Sequence, residues 1–324
     1  KYMIIYKQEN GDLKNSKGLI KDPAIKEYVK KLVIPPAYKN VKIFYEKHPK
    51  ILYEGYDSKG RKQQIYSPSW TKKSHKDKMC KLYDFGLKLP IIHEKIKKLL
   101  DTNKKDYNNP SREFLIAVII KIIRLCYFRV GNLKYQKLYG SYGITNILSR
   151  HVIIQQKGIK IKFLGKKGVI NECNIRFESQ PLLTDILIKL KENKNSNDYL
   201  FQNKDGVITS NEINNWLKSI DSGFTSKMFR TYDSNILLLE FLYKKHSGNS
   251  PSLLTLNNRK KIIVEALKEI SNCVNNTPAI CKKNYIDIDI INMYIEKPIK
   301  FKKNFINGLS NDVNFLNHIK KNHC

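Results

Sequence analysis

The sequence predicts an α+β protein in which a small β-rich domain, residues 1–78, precedes a larger, mainly α-helical domain, residues 79–324, that carries one small antiparallel sheet. Three observations predict it. The chain has 324 residues, 41% hydrophobic and 10% aromatic, enough to build cores and a prior for about two domains. Its first quarter is broken by Gly11, Gly18, Pro23, Pro35-Pro36, Pro49, Gly55 and Gly60, with short β-branched and aromatic runs between them. Beyond it the apolar spacing becomes helical, with one alternating interruption.

Each element follows in order. Tyr2–Tyr6, Val41–Tyr45, Ile51–Tyr53 and Gln63–Tyr66 read as strands bounded by turn residues. The basic, polar segment Thr71–Lys78 reads as the boundary. Ser111 stands as an N-cap before a buried helix over Glu113–Arg129, and Pro181–Lys191, Ser210–Ser219, Lys227–Lys245 and Asn258–Val274 also read as helices. His151–Gln156, Ile159–Leu164 and Val169–Phe177 alternate like strands around Gly158 and the turn Gly165-Lys166-Lys167-Gly168. Lys166 is therefore expected in a turn of the small sheet.

Sixty Lys and Arg stand against 29 Asp and Glu, a formal net charge of +31. A charge of this size favours a polyanionic partner, nucleic acid before anionic membrane. Lys, Asn and Ile together reflect an AT-rich coding sequence, which inflates the lysine count but does not explain the shortage of acids. Residues 1–78 hold 19 basic and 8 acidic residues, so they carry nearly twice the charge per residue of the remainder. A membrane span is excluded because Lys121 and Arg124 interrupt the longest apolar stretch, Phe114–Phe128. The first twenty residues hold no apolar block of signal length, and a start at Lys1 leads us to expect residues ahead of it.

Six cysteines without C-x-x-C spacing read as reduced intracellular thiols, not a zinc site. Gly165-Lys166-Lys167-Gly168 lacks the remaining parts of a nucleotide-binding loop, and His93-Glu94 has Lys97 where a zincin has its second histidine. No metal and no cofactor are expected. Asp287 and Asp289 read as helix-surface acids, two residues apart and unable to face each other.

The chemistry-bearing residues form an ordered set: Asp57-Ser58-Lys59-Gly60-Arg61; Arg129 in Phe128-Arg129-Val130-Gly131; Lys166 in Phe163-Leu164-Gly165-Lys166; Lys227 and Arg230 in Lys-Met-Phe-Arg-Thr-Tyr-Asp; and Asn276-Thr277-Pro278 followed by Tyr285, nine residues after Asn276. In this order and spacing the chain resembles the type IB DNA topoisomerases, particularly the compact form of poxviruses and other large DNA viruses. The resemblance spans nearly the whole chain. It implies a catalytic domain of the tyrosine recombinase/type IB topoisomerase type and a β-rich DNA-clamp domain ahead of it. The activity implied is relaxation of supercoiled duplex DNA by transient cleavage of one strand.

The residue types suit that chemistry. Rejoining a strand without ATP requires that the phosphodiester energy be kept in a covalent bond, and Tyr285 is the candidate nucleophile, leaving DNA joined through its 3′ phosphate. A phenol ionises at about pH 10, so neighbouring cations should help it lose its proton. Arg129 and Arg230 offer guanidinium forks to the nonbridging oxygens of the transition state. The 5′ alkoxide is a poor leaving group, and the resemblance assigns its general acid to Lys166, relayed with Lys227. Asn276 departs from the family, which has histidine there. An amide still donates a hydrogen bond to a phosphate oxygen but never carries charge. His246 is a possible displaced substitute.

For DNA contact the resemblance points to Gln63, Gln64 and Tyr66 in the first domain and to Lys134 and Tyr135 after Arg129. Gln64 replaces an aromatic and Asn132 a lysine of the family pattern. For Tyr66 and Tyr135, plain core packing competes with a stacking role. A pentapyrimidine cleavage preference close to CCCTT is expected, with the protein a monomer on double-stranded DNA inside the cell, in a virion or cytoplasmic replication site if viral and otherwise in the nucleus. Two alternatives remain. A tyrosine recombinase or integrase uses similar chemistry but carries His-x-x-Arg where this chain has Lys227 before Arg230. A non-enzymatic DNA-binding protein with a degenerate catalytic fold would explain Asn276.

Overall fold

The computed structural model describes residues 3–8, 10–47, 49–102, 106–192, 194–246, 250–307 and 310–324. The chain folds into two units, Lys1–Met79 and Cys80–Cys324.

The first unit is built on a six-stranded antiparallel sheet. Its strands are β1 (Met3–Lys7), β2 (Leu13–Asn15), β3 (Gly18–Leu19), β4 (Lys39–Tyr45), β5 (Ile51–Tyr56) and β6 (Lys62–Tyr66), in the order β3-β2-β1-β4-β5-β6. Ile5 pairs with Ile43 across β1 and β4, and both side chains are fully buried. The alternation of β4 buries Val41 and Ile43 between exposed neighbours, the two-residue period of a sheet with one apolar face. A helix that the sequence reading missed, α1 (Pro23–Lys31), adds Ile25 and Val29 to this core. Its start is signalled by Asp22, which caps Ala24 N–H, and by Pro23 at the first helical position. The Asp57–Arg61 motif builds the β5–β6 turn. Asp57 accepts from the backbone N–H groups of Lys59 and Arg61 and from Arg61 Nε at 2.8 Å, and Gly60 takes a φ of 68°.

Helix α2 (Pro68–Thr102) contains the division between the units. Thr71–Lys78, expected as a boundary segment, is helical. Polar composition disguised a helix there, and Pro90 and Gly86 disguised its continuation.

In the second unit α3 (Arg112–Cys126) is buried on almost every side, as an apolar helix inside a core must be. Ser111 caps it by accepting from Phe114 N–H, and the helix stops at Cys126, three residues before the expected end at Arg129, with Tyr127 as its left-handed C-cap. There follow α4 (Leu133–Tyr139), the sheet β7 (Val152–Gln155), β8 (Gly158–Leu164) and β9 (Ile170–Arg176), then α5 (Pro181–Glu192) and a short hairpin of β10 (Gln202–Asn203) and β11 (Gly206–Val207). Helices α6 (Ser210–Lys218), α7 (Lys227–His246), α8 (Leu256–Cys273), α9 (Pro278–Asn284), α10 (Ile288–Glu296), α11 (Pro298–Phe301) and α12 (Asn311–Asn322) complete it. Phe85 meets Phe224, Phe229 and Tyr232 edge-on, and Tyr232 meets Phe315. Each such ring buried contributes about 1.5–3 kcal/mol, so α2, α7 and α12 are held as one framework.

Two cysteine pairs correct the reading of six reduced thiols. Cys80 and Cys324, with Cα atoms 5.4 Å apart, and Cys126 and Cys173, at 5.6 Å, are disulfide-bonded; Cys273 and Cys281 are free. Neither bond joins neighbours in sequence, so spacing carried no trace of them.

Candidate active site

Five chain segments of the second unit converge on a cleft of about 780 Å³, lined among others by Arg129, Lys166, Lys167, Lys227, Arg230, Asn276 and Tyr285. All six expected catalytic residues are therefore brought together.

Arg129 lies in the loop after α3, and a close backbone approach fixes that loop. Arg129 C=O accepts from Ile144 N–H at 2.9 Å and Val130 C=O from Thr145 N–H at 2.8 Å. Gly131, at a φ of 108°, lies so near Gly143 that a Cβ on Gly143 would stand 2.4 Å from Gly131 Cα, so only glycine fits. The same connecting segment grips the lysine hairpin, because Tyr142 N–H donates to Leu164 C=O at 2.8 Å. Phe128 and Phe163, which precede the two motifs, meet edge-on at 4.9 Å.

Lys166 sits at the tip of the β8–β9 hairpin, where Gly165 N–H donates to Val169 C=O at 2.7 Å and Lys167 and Gly168 both take positive φ. Lys166 and Lys167 are exposed. Arg230, by contrast, is 3% exposed, on the first turn of α7. Its Nη2 donates to Val274 C=O, whereas its Nε and Nη1 have no hydrogen-bond partner among the described residues. Burial lowers its guanidinium from the ordinary arginine value, and an arginine stays charged at neutral pH. Such unpartnered charged donors are costly in a closed protein; in a cleft they suit an anionic ligand.

Asn276 and Tyr285 flank α9. Asn276 precedes the N-cap Thr277, and Tyr285 is the C-cap residue, its N–H donating to Cys281 C=O at 3.0 Å. Asn276 Oδ1 accepts from Arg129 Nη2 at 2.7 Å and its amide donates to Val274 C=O at 3.2 Å, while the amide also acts on the Tyr285 phenol. The Tyr285 ring lies 5.2 Å from the Arg230 guanidinium carbon and is 7% exposed. Burial is the largest single influence on its phenol and raises it. Arg230, Arg129, the Asn276 amide and Lys227 together outweigh burial, so the phenol is shifted below its ordinary value of 10.0.

The other expected residues fall elsewhere. Gln63, Gln64 and Tyr66 lie on β6, the edge strand of the first unit's sheet. Gln63 donates to Asp57 at 3.0 Å, Gln64 to Glu54 at 3.0 Å, and Tyr66 Oη to Gln64 at 3.1 Å. Lys134 and Tyr135 are on α4, a helix without a buried residue, where Tyr135 stacks on Tyr139 at 6.0 Å. Tyr66 is 41% and Tyr135 56% exposed, which corrects the core-packing reading of both. Asn132 caps α4 by accepting from Lys134 N–H. His246 is buried against Tyr294 Oη at 2.8 Å, outside the cleft, and is no substitute for Asn276. Asp287, expected on a surface, is fully buried.

One residue at the site escaped the sequence reading. Asn235, fully buried on α7, donates to Tyr285 C=O at 2.8 Å and accepts from Asp287 N–H at 2.8 Å. The available signal was the polar run Arg230, Thr231, Asp233, Ser234 and Asn235, just ahead of the apolar stretch Ile236 to Leu239 of the same helix.

Residues 67–310 match the family described as eukaryotic DNA topoisomerase I, catalytic core. The chain is 29% identical to DNA topoisomerase 1B of Acanthamoeba polyphaga mimivirus over 98% of its own length and 95% of that protein's. It is 27% identical to DNA topoisomerase 1B of vaccinia virus (strain Copenhagen) over 76% and 74% of the two chains. It is also 27% identical to DNA topoisomerase 1 beta of Arabidopsis thaliana over 64% of its length, but only 22% of the plant protein.

Proposed function

The chain belongs to the DNA topoisomerase I catalytic-core family and is a type IB DNA topoisomerase, and we propose that six residues of its cleft divide the reaction among them. Tyr285, its phenol proton lost to solvent with the help of the neighbouring cations, attacks the scissile phosphorus through Oη as the bond from phosphorus to the 5′ oxygen breaks, forming a 3′-phosphotyrosyl link. Arg230 and Arg129 meet the charge that grows on the nonbridging oxygens. Lys166 gives its proton to the departing 5′ oxygen, with Lys227 relaying, and Asn276 turns the amide N–H that acts on Tyr285 to a nonbridging oxygen. Religation runs the same steps backward, so neither ATP nor a metal ion is consumed.

The observation that carries this reading is the buried Arg230 guanidinium. Two of its nitrogens lack partners among the described residues, and it faces the Tyr285 ring in a cleft that also holds Arg129, Lys166 and Lys227. Three cations acting on one phenol, with Lys166 lining the same cleft, suit a phosphodiester.

DNA is the partner. Residues 1–78 contribute one DNA-binding surface, through Gln63, Gln64 and Tyr66 on the exposed edge strand β6, and residues 79–324 contribute the catalytic one, with Lys134 and Tyr135 on α4 reaching base edges or phosphates. The exposure of these residues supports that use. The protein acts as a monomer, in a virion or a cytoplasmic viral replication site. The matches do not favour a recombinase or a catalytically dead DNA-binding protein.

The test has two arms. Supercoiled plasmid incubated in EDTA without ATP should relax, and a nicked suicide duplex should yield a DNA adduct that survives SDS. Tyr285→Phe should abolish relaxation and adduct while keeping DNA affinity. An adduct retained by that variant removes Tyr285 from the mechanism.

A further inference from the structure

Behind the nucleophile lies a buried polar cluster that the reaction scheme above does not use. Asp287 Oδ2 accepts from His318 Nε2 at 3.0 Å and from His323 Nε2 at 2.9 Å, with the carboxylate fully buried and the histidines 4% exposed each. His318 belongs to α12, and His323 follows immediately as its C-cap. The tautomer of His318 follows from its other nitrogen: Asn322 Nδ2 lies 3.1 Å from Nδ1 and donates to it, so the proton sits on Nε2 and points at Asp287. Asn322 also donates to His318 C=O at 2.8 Å, and Phe305 packs on the ring at 5.4 Å between centroids. His318 is thus held by Asn322 and Phe305 in the orientation that Asp287 requires.

We propose that α12 is a clasp for the nucleophile, in which His318 and His323 act as positioning residues for Tyr285 by holding Asp287. The path is short. Only residues 285–287 separate α9 from α10. Upstream, Tyr285 N–H is tied to Cys281 C=O. Downstream, Asp287 Oδ1 caps α10 through Asp289 N–H at 3.1 Å, and Asn235 bridges Tyr285 C=O to Asp287 N–H. With both ends of a three-residue loop fixed, a displacement of Asp287 is passed directly to Tyr285. A buried carboxylate stays in place only while its oxygens are hydrogen-bonded, and two imidazole N–H groups from a segment more than thirty positions away in sequence are part of that hold here. In-line attack tolerates little error: a misplacement of about 1 Å costs about 10²-fold.

The proposal rests on Tyr285 being the nucleophile, so Tyr285→Phe is run beside the clasp variants. Single-turnover cleavage of the suicide duplex, religation rate, DNA affinity and thermal midpoint are measured for His323→Leu, for the double variant His318→Leu/His323→Leu, and for His318→Gln/His323→Gln, which keeps an N–H donor near each Nε2 position. The leucine variants should still form the adduct, with cleavage and religation slowed together by about tenfold to a hundredfold, DNA affinity unchanged, and the rate restored to within about threefold by the glutamine pair. The assays run well below the thermal midpoint of each variant, so lost stability alone leaves the rates where they were. Wild-type rates in His323→Leu and in the double leucine variant overturn the clasp, and His323→Leu alone decides if the double variant does not fold. An adduct surviving in Tyr285→Phe overturns the assignment of the nucleophile instead, so the two failures are distinct.

Discussion

The floor of the cleft and the hairpin above it are built by opposite rules. Arg230, Tyr285 and Asn235 are buried on helices and helix ends, each tied by hydrogen bonds to backbone or to one another. Lys166 stands exposed on a tight turn held by its own two backbone bonds, with positive φ at the next two residues. The difference follows the chemistry. Charge developing on a phosphate is best met by donors that need no reorganisation, whereas a proton donor has to reach an oxygen that arrives with the DNA. On the proposed mechanism the floor carries electrostatics and the hairpin carries the proton.

Substitutions can break this contrast, and the floor should give the largest effect. Arg230→Ala should slow single-turnover cleavage at least about 10³-fold, the upper end for one donor to a developing oxyanion. Arg230→Gln should also move the cleavage pH profile to the alkaline side, because Arg230 is the strongest of the groups that lower the Tyr285 phenol; a profile that stays in place denies it that role. Lys166→Ala should cost about 10²–10³-fold, within the general-acid range, with DNA affinity unchanged by filter binding. Asn276→Ala should slow cleavage about tenfold, the worth of one hydrogen bond, and Asn276→His should retain or raise the rate. A wild-type rate in Asn276→Ala removes Asn276 from the site.

The smallest expected effect lies outside both regions and serves as a control. The carboxyl of Glu212, held by Arg112 Nε at 2.5 Å and by the Thr209 cap, is lowered from 4.5 to about 2. A depressed carboxyl adds stability above its unfolded value and loses it as pH falls through the folded one. Melting temperature should therefore fall between about pH 4.5 and 2, and Glu212→Gln should flatten that part of the curve without altering cleavage at neutral pH.

The contrast also explains what could be read from the sequence. Arg129, Lys166, Lys227, Arg230, Asn276 and Tyr285 were legible because they fall in one ordered set of motifs that resembles a known family. The Lys166 turn was legible from its glycines. Asn235, Asp287, His318 and His323 were not, because each matters through a buried partner from a distant segment, and periodicity is silent about such pairs. Asp287 was misread as a surface acid for that reason. Helix α1 was hidden among turn residues despite its Asp22-Pro23 start, and the polar opening of α2 looked like a linker.

The division between floor and hairpin is tested most directly by a duplex whose scissile 5′ oxygen is replaced by sulfur. A thiolate leaves without a proton, so the general acid becomes dispensable while the charge on the nonbridging oxygens still has to be met. Lys166→Ala should cleave this substrate at nearly the wild-type rate, and Arg230→Ala should remain as impaired as on the oxygen substrate. A Lys166→Ala defect that persists with sulfur, or an Arg230→Ala defect that vanishes, would contradict the account.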